Sequence, residues 1–285
     1  MTGTDCTLPT YSVAKNGLKI ISLKDFTCVG STFVGSARIS STQPIVVSAT
    51  QHHLNAAQQI DSLMESEHLG SPATSVYAPL IQNYNGNWIS GMALQNASSS
   101  TNTLNVYFYN DNGTQCDPDT YSSVPAYYSR IDALPPGNPP CSSVASALIT
   151  GGTLPVSATV NQSLPGSLHA ADYLGVNNPG RTVTIPLYFK QYNGLSSGIV
   201  VKNVSGSQSL SFTIKFYNSN GSLHSTPVQN QTLGANRIYV SNALPSGGTF
   251  VGSAVVTASR PIALEVNHYR SIAGDGLMSN VGIHR

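Results

Sequence analysis

Apolar residues in this chain alternate with polar ones in short runs. Leu104, Val106 and Phe108 are interleaved with Asn105, Tyr107 and Tyr109, and Leu210, Phe212, Ile214 and Phe216 show the same alternation. A period of two marks strands with one buried face. Such runs predict strands over about 76–83, 88–96, 102–110, 124–132, 143–150 and 154–162. Asn112-Gly113 and Asn220-Gly221 lie just after two of these runs and suit tight turns, because both residue types accept positive φ. Pro155 is expected at a strand start or on an edge, since it cannot donate to a ladder. One stretch, 56–69, has helical spacing: Ile60, Leu63, Met64 and Leu69 line one face and predict a short spacer helix.

The strings themselves recur. Ala78-Pro79-Leu80 followed by Tyr84-Asn85-Gly86 returns as Ile185-Pro186-Leu187 followed by Tyr192-Asn193-Gly194. Ser90-Gly91, Gln95-Asn96, Phe108-Tyr109-Asn110 and Ala133-Leu134-Pro135 return as Ser197-Gly198, Lys202-Asn203, Phe216-Tyr217-Asn218 and Ala243-Leu244-Pro245. Order is kept at an offset of about 107 residues, which reads as a domain duplication. A partial third copy precedes them, because Phe33-Val34-Gly35-Ser36-Ala37 with Pro44-Ile45 matches Phe250-Val251-Gly252-Ser253-Ala254 with Pro261-Ile262. The middle copy has the weaker Ser143-Val144-Ala145-Ser146-Ala147. The expected fold is all-β: tandem immunoglobulin-like or jelly-roll-type β-sandwich modules, the first incomplete. Residues 1–55 form the C-terminal half of a module and 56–75 a linker. A complete module over 76–165, a linker over 166–181 and a second complete module over 182–285 follow.

Charge changes the picture next. Only 9% of the 285 residues are Asp, Glu, Lys or Arg, against about 25% in an average soluble domain. Solubility therefore rests on Ser, Thr, Asn and Gln, and such surfaces stack without like-charge repulsion. The net charge of +1 and the lack of a basic run give no support for nucleic-acid binding. No apolar stretch reaches the length of a membrane span, and no signal peptide is visible at the N-terminus.

Four cysteines allow three pairings. Cys28 and Cys141 both precede a Phe33-like strand, and Cys6 and Cys116 both lie a little earlier. Equivalent positions imply Cys6–Cys28 and Cys116–Cys141, and hence an oxidising, extracellular setting. Zinc is the rival reading, but it lacks a C-x-x-C spacing. Six Asn-x-Ser/Thr sequons, at Asn96, Asn112, Asn161, Asn203, Asn220 and Asn230, are candidates for glycosylation or for turn residues.

No catalytic constellation stands out, and no cofactor is implied. Asp111, Asp117 and Asp119 loosely suggest calcium, against a plain polar loop. His52, His53, Glu65, Glu67 and His68 offer ligand atoms around the first linker, against a solvated connection. Trp88 and the 14 tyrosines would suit glycan stacking if exposed, although sandwich aromatics more often fill cores.

The string Tyr84-Asn85-Gly86, Ser90-Gly91, Gln95-Asn96, Asn112-Gly113, Ala133-Leu134-Pro135 and Phe250-Val251-Gly252-Ser253-Ala254 resembles a type of tandem β-sandwich repeat. It is found in large secreted and surface proteins of Chloroflexota-type filamentous bacteria. The resemblance implies an extracellular scaffold, filament or adhesive layer, and no catalytic residue to carry over. The expected role is therefore a non-enzymatic structural protein of the cell surface. Its partner is itself, head to tail, or neighbouring modules of a larger surface protein. An adhesin or glycan-binding module is the alternative. Residues 1–53 would be completed by upstream sequence, by packing on the next module, or by strands donated from another subunit.

Overall fold

The computed structural model describes residues 6–29, 35–54, 60–66, 72–133, 141–165, 170–270 and 277–284. In order, the strands are β1 (Ala49–Leu54), β2 (Ile60–Ser66), β3 (Ser75–Asn85), β4 (Trp88–Asn96), β5 (Asn102–Asn110), β6 (Gln115–Val124) and β7 (Ser129–Ala133). They continue with β8 (Val144–Thr150), β9 (Val156–Ser163), β10 (Ala170–Leu174), β11 (Gly180–Lys190), β12 (Leu195–Asn203) and β13 (Leu210–Asn218). The last are β14 (Leu223–Leu233), β15 (Ile238–Ser241), β16 (Phe250–Arg270), β17 (Leu277–Val281) and β18 (Ile283–His284).

Two β-sandwiches result, and their pairing schemes match strand for strand. In the first, one layer runs β6-β5-β8-β3 and the other β7-β4-β9-β10, all antiparallel. In the second, β14-β13-β16-β11 faces β15-β12-β16-β17. β16 serves both layers, because its N-terminal part pairs with β11 and β13 and its C-terminal part with β12 and β17. Its first-sandwich counterpart is broken at Gly151–Pro155 into β8 and β9, so Pro155 directly precedes a strand as expected. Pro79 and Pro186 sit at matching register shifts of β3 and β11, between Ala78 and Ile81 and between Ile185 and Tyr188. A bulge tolerates the missing N–H there.

Each sandwich closes its own core, with Leu94, Leu104, Val106 and Phe108 at the centre of one and Ile199, Phe212, Ile214 and Phe216 at the centre of the other. Burying each such side chain contributes about 1.5–3 kcal/mol. The cysteines pair as Cys6–Cys28 and Cys116–Cys141, with Cys141 in the first core. The second sandwich has His224 and Gly248 at the places of Cys116 and Cys141. There the His224 ring packs on Phe250 at 4.7 Å, and Phe250 meets Phe216 edge-on at 5.7 Å. A ring contact worth about 1 kcal/mol thus stands where a disulfide would contribute about 3 kcal/mol.

Three expectations need correction. Residues 60–66 form strand β2, not part of a helix over 56–69, and β2 pairs with β1. In this pair Leu63 and Met64 face His52 and Gln51, just as Leu277 and Met278 face Tyr269 and His268. β2 is therefore the counterpart of β17 in the first module. Likewise β10 lies inside the stretch expected as a linker over 166–181, so the link proper is Asn177-Asn178-Pro179. β6 was also not anticipated: Cys-Asp-Pro-Asp is poor strand sequence, but an edge position accepts Pro118.

The described part of the first module pairs sparsely. In the sandwich, β6, β7, β8 and β9 each pair with β3, β4 or β5, and β10 alone depends on β9. Residues 6–66 correspond to the stretch from β6 to β10, and β1–β2 is the one strand pair among their described residues. Among the described residues of 6–48 there is no strand, and Leu18, Ile20 and Val46 are exposed.

Two asparagines fix the ends of β4 and β12. Asn96 Nδ2 donates to the carbonyls of Ser100, Val124 and Pro125, while its Oδ1 accepts from Ser98 N. Asn203 Nδ2 donates to Gln208, Leu233 and Gly234, and its Oδ1 accepts from Ser205 N. Both are fully buried. Replacing Asn203 with Ala leaves three carbonyls without this donor and is expected to cost about 3 kcal/mol. The exposed Asn220→Ala is expected to stay within about 0.5 kcal/mol. Urea midpoints of the two variants provide the check.

Candidate functional site, a recurring interface

β12 is covered on both faces. Ile199 and Val201 enter their own core, while Val200 and Lys202 point the other way and are equally buried. The cover is the preceding sandwich. Leu80 of β3 meets Val200 and Ile238 in a separate apolar cluster, with Val144 packed against it. The β5–β6 turn comes so close that a Cβ at Gly113, where φ is +85°, would lie 2.3 Å from the Ala235 carbonyl oxygen. Ile238 N donates to Asp111 O across the same boundary, at 3.3 Å.

Polar groups surround this patch. Lys202 Nζ donates to Ser146 Oγ at 2.9 Å and to Asn236 O at 3.2 Å, and sits 4.8 Å from the centre of the Tyr109 ring. Burial lowers its pKa from 10.5 to about 7. On the other side Gln82 Nε2 donates to Gln162 Oε1 at 2.6 Å, and Asn267 Nδ2 donates to the same oxygen at 3.3 Å. Glu265 is fully buried near Gln162, and the Tyr173 hydroxyl binds Leu80. Burial, and then the charge of Glu265, raises the Tyr173 pKa well above 10.

Residues in matching places also meet one module earlier, with a different hydrogen-bond pattern. Ser36 holds the place of Ser146, Gln95 that of Lys202, and Tyr127 that of Asn236. Ser36 Oγ donates to Tyr127 O at 3.0 Å and Gln95 Nε2 to the same oxygen at 3.3 Å. Tyr127 and Asn236 share a positive φ, 60° and 56°. Arg38 stacks on the Tyr127 ring at 4.5 Å. The terminal strands follow suit, β2 packing on β10 and β10 on β17.

The sequence-derived candidates fall elsewhere. Asp111 is exposed and gives its carbonyl to the next module, and among the described residues no three His, Cys, Asp or Glu side chains gather as metal ligands. The Asn112-Gly113 turn beside Asp111 docks on the next module. Glu67 and His68 lie outside the described residues, as do the side chains of His52, His53, Glu65 and Asp117. Of the sequons, Asn96 and Asn203 are spent inside the fold, since a glycan on Nδ2 would displace their carbonyl contacts. Asn112 and Asn220 are exposed and cap their own turns, accepting from Thr114 N and Ser222 N. Asn230 is exposed and Asn161 half-buried. Trp88 opens β4 and is partly buried, whereas Tyr84 and Tyr192 are exposed in the β3–β4 and β11–β12 hairpins.

A buried serine–histidine pair was not foreseen. Ser197 Oγ lies 2.7 Å from His268 Nδ1 and also accepts from Phe189 N. The hydroxyl is only 1% exposed, and Ser90 accepts from Gln82 N in the matching place, with Gln162 opposite. Ser197 and His268 are cross-strand partners within one layer, and Ser197 links that layer to the other through Phe189 of β11. Burial lowers the His268 pKa to about 4, so the ring is neutral at pH 7.

Neither a protein-family model nor a curated protein matches the chain. Among solved structures it is similar to β-glucuronidases of Bacteroides uniformis. With a calcium-binding mutant of β-glucuronidase 2 the identity is 13% and the TM-score 0.17, over 82% of this chain and 32% of that one. The covalent cyclophellitol-6-carboxylate aziridine complex of β-glucuronidase 2 gives 11% and 0.17 over the same shares. A further structure, of Bacteroides uniformis β-glucuronidase, gives 13% and 0.16, over 71% of this chain and 25% of that one. The chain thus spans about a third or less of these proteins, and a likeness this small supports no inference about activity.

Two pH effects follow. Unfolded Lys202 keeps its proton up to about pH 10, whereas the buried amine loses it above about pH 7, so stability rises with pH across that window. Lys202→Met should therefore raise stability by about 2 kcal/mol at pH 7, an advantage that shrinks by pH 9.5 in parallel urea melts. His268 works at lower pH: the unfolded ring binds a proton below about 6.5 and the folded one only near 4. Acidification through that window should cost the wild type up to about 3 kcal/mol more than His268→Gln, read as the difference in melting temperature.

Proposed function

We propose that this chain is a non-enzymatic structural protein of the cell surface, a subunit that self-associates into a filament or layer. The observation that carries this reading is the recurring interface: Ser36 of the first module donates to the Tyr127 carbonyl of the second, and Ser146, in the matching place on the second, accepts from Lys202 of the third. A contact that passes from module to module in one direction builds an open stack and does not close on itself. Two disulfides among the described residues fit an oxidising, extracellular setting. Among the described residues no helix is long and apolar enough to cross a membrane. The low charge fits such stacking, since its faces carry little repulsion.

Strand sharing through the first module takes a definite form. The counterparts of β3, β4 and β5 must all be supplied, because one donated strand would complete only part of either layer. Purified chain should show concentration-dependent growth by sedimentation velocity and linear particles by negative-stain electron microscopy. A chain that is folded and strictly monomeric at its highest soluble concentration would overturn the reading.

A further inference from the structure

The interface inside the chain has two sides, and each has a counterpart left open elsewhere. On the forward side of the first sandwich stand Leu80, Tyr109, the Gly113 turn and Ser146, all covered by the next module. Their counterparts on the second sandwich are Leu187, Tyr217, the Gly221 turn and Ser253, assigned by matching register of β3 with β11, β5 with β13 and β8 with β16. Leu80 is 5% exposed but Leu187 is 47% exposed. A Cβ on Gly113 would strike Ala235, whereas one on Gly221 would meet nothing within 4 Å. The forward face of the last sandwich is fully formed and exposed at Leu187 and Gly221.

The receiving side is present too. In the second sandwich it is Asn236, with its positive φ, followed by Ile238, which covers Leu80. In the first module the matching residues are Asn16, whose φ is 59°, and Leu18, which is 85% exposed. The receiving sides of the two sandwiches are already occupied within the chain.

We infer that the occupant of the Leu187 face is a second copy of this chain, seated through its Asn16–Ile20 segment in the way Ile238 seats on Leu80. This rests on the self-association proposed above and assigns its contact surfaces. Val200 has no counterpart in residues 6–54, so the joint between copies is weaker than the one inside the chain and forms only as concentration rises.

Leu187→Glu and Leu18→Glu test it, because both side chains are exposed and neither change should alter the melting temperature. Each variant alone should associate at least about tenfold more weakly than wild type by sedimentation velocity. An equimolar mixture should form dimers and stop there, since one variant keeps an intact Leu18 and the other an intact Leu187. Gly221→Asn, which tolerates the turn's positive φ but adds bulk at the joint, should weaken association similarly. If the wild type polymerises and Leu187→Glu does so equally, the assigned face is wrong while self-association stands. If both variants are monomeric and their mixture is too, the head-to-tail pairing is wrong. A monomeric wild type overturns both.

Discussion

A strand needs a neighbour, and this constraint organises the whole molecule. Backbone N–H and C=O groups must be paired when buried, and in each sandwich most pairings route through three strands near the N-terminal end of the module. β3, β4 and β5 are the hubs onto which β6 to β9 attach. With hubs present, sixteen strands assemble into two closed cores. Where they are missing, apolar residues such as Leu18 and Ile20 stay in water although the disulfide and the β1–β2 pair are in place. Covalent stapling restrains the chain but does not replace a missing ladder.

The boundary between sandwiches mixes two kinds of contact with opposite energetics. Leu80, Val200 and Ile238 gain by leaving water, which supplies adhesion without much direction. Lys202, Gln162, Gln82 and Asn267 must find partners once buried, and their hydrogen bonds fix one register. The unfavourable member is Lys202, whose lowered pKa measures how poorly that site tolerates charge. Glutamine at the matching place in the first sandwich makes the equivalent hydrogen bond to Tyr127 without that cost.

Much of this was legible in the residues. Alternation located β4 and β5 to the residue, and recurring strings paired the cysteines correctly. What escaped was mostly edge strands: β6 carries Cys-Asp-Pro-Asp, β10 carries a buried Asp172, and β2 has a spacing equally good for a helix. Edge strands are held by one neighbour and tolerate poor β sequence, so local pattern is weakest there. The recurrence of Leu63-Met64 as Leu277-Met278 was the available clue to β2. The interface was hidden for another reason. A residue such as Gly113 looks like any turn glycine until its neighbour is known, and the same letters at Gly221 face open space. The continuous apolar run Ile199-Val200-Val201 was the one local sign of a strand covered on both sides.

The link Asn177-Asn178-Pro179 is short enough to alter how strong that boundary must be. Three residues span at most about 10 Å, so once Val176 has bridged to Tyr77 and β11 has begun at Gly180, the two faces are held within reach of each other. Tethering at this range gives an effective concentration in the millimolar range. A contact with a dissociation constant in the micromolar range would then remain almost always closed within one chain. The same contact between separate chains would respond steeply to how many are present. A single surface chemistry can thus hold modules of one chain together permanently and make the joint proposed between chains a reversible one, with the tether alone setting the difference.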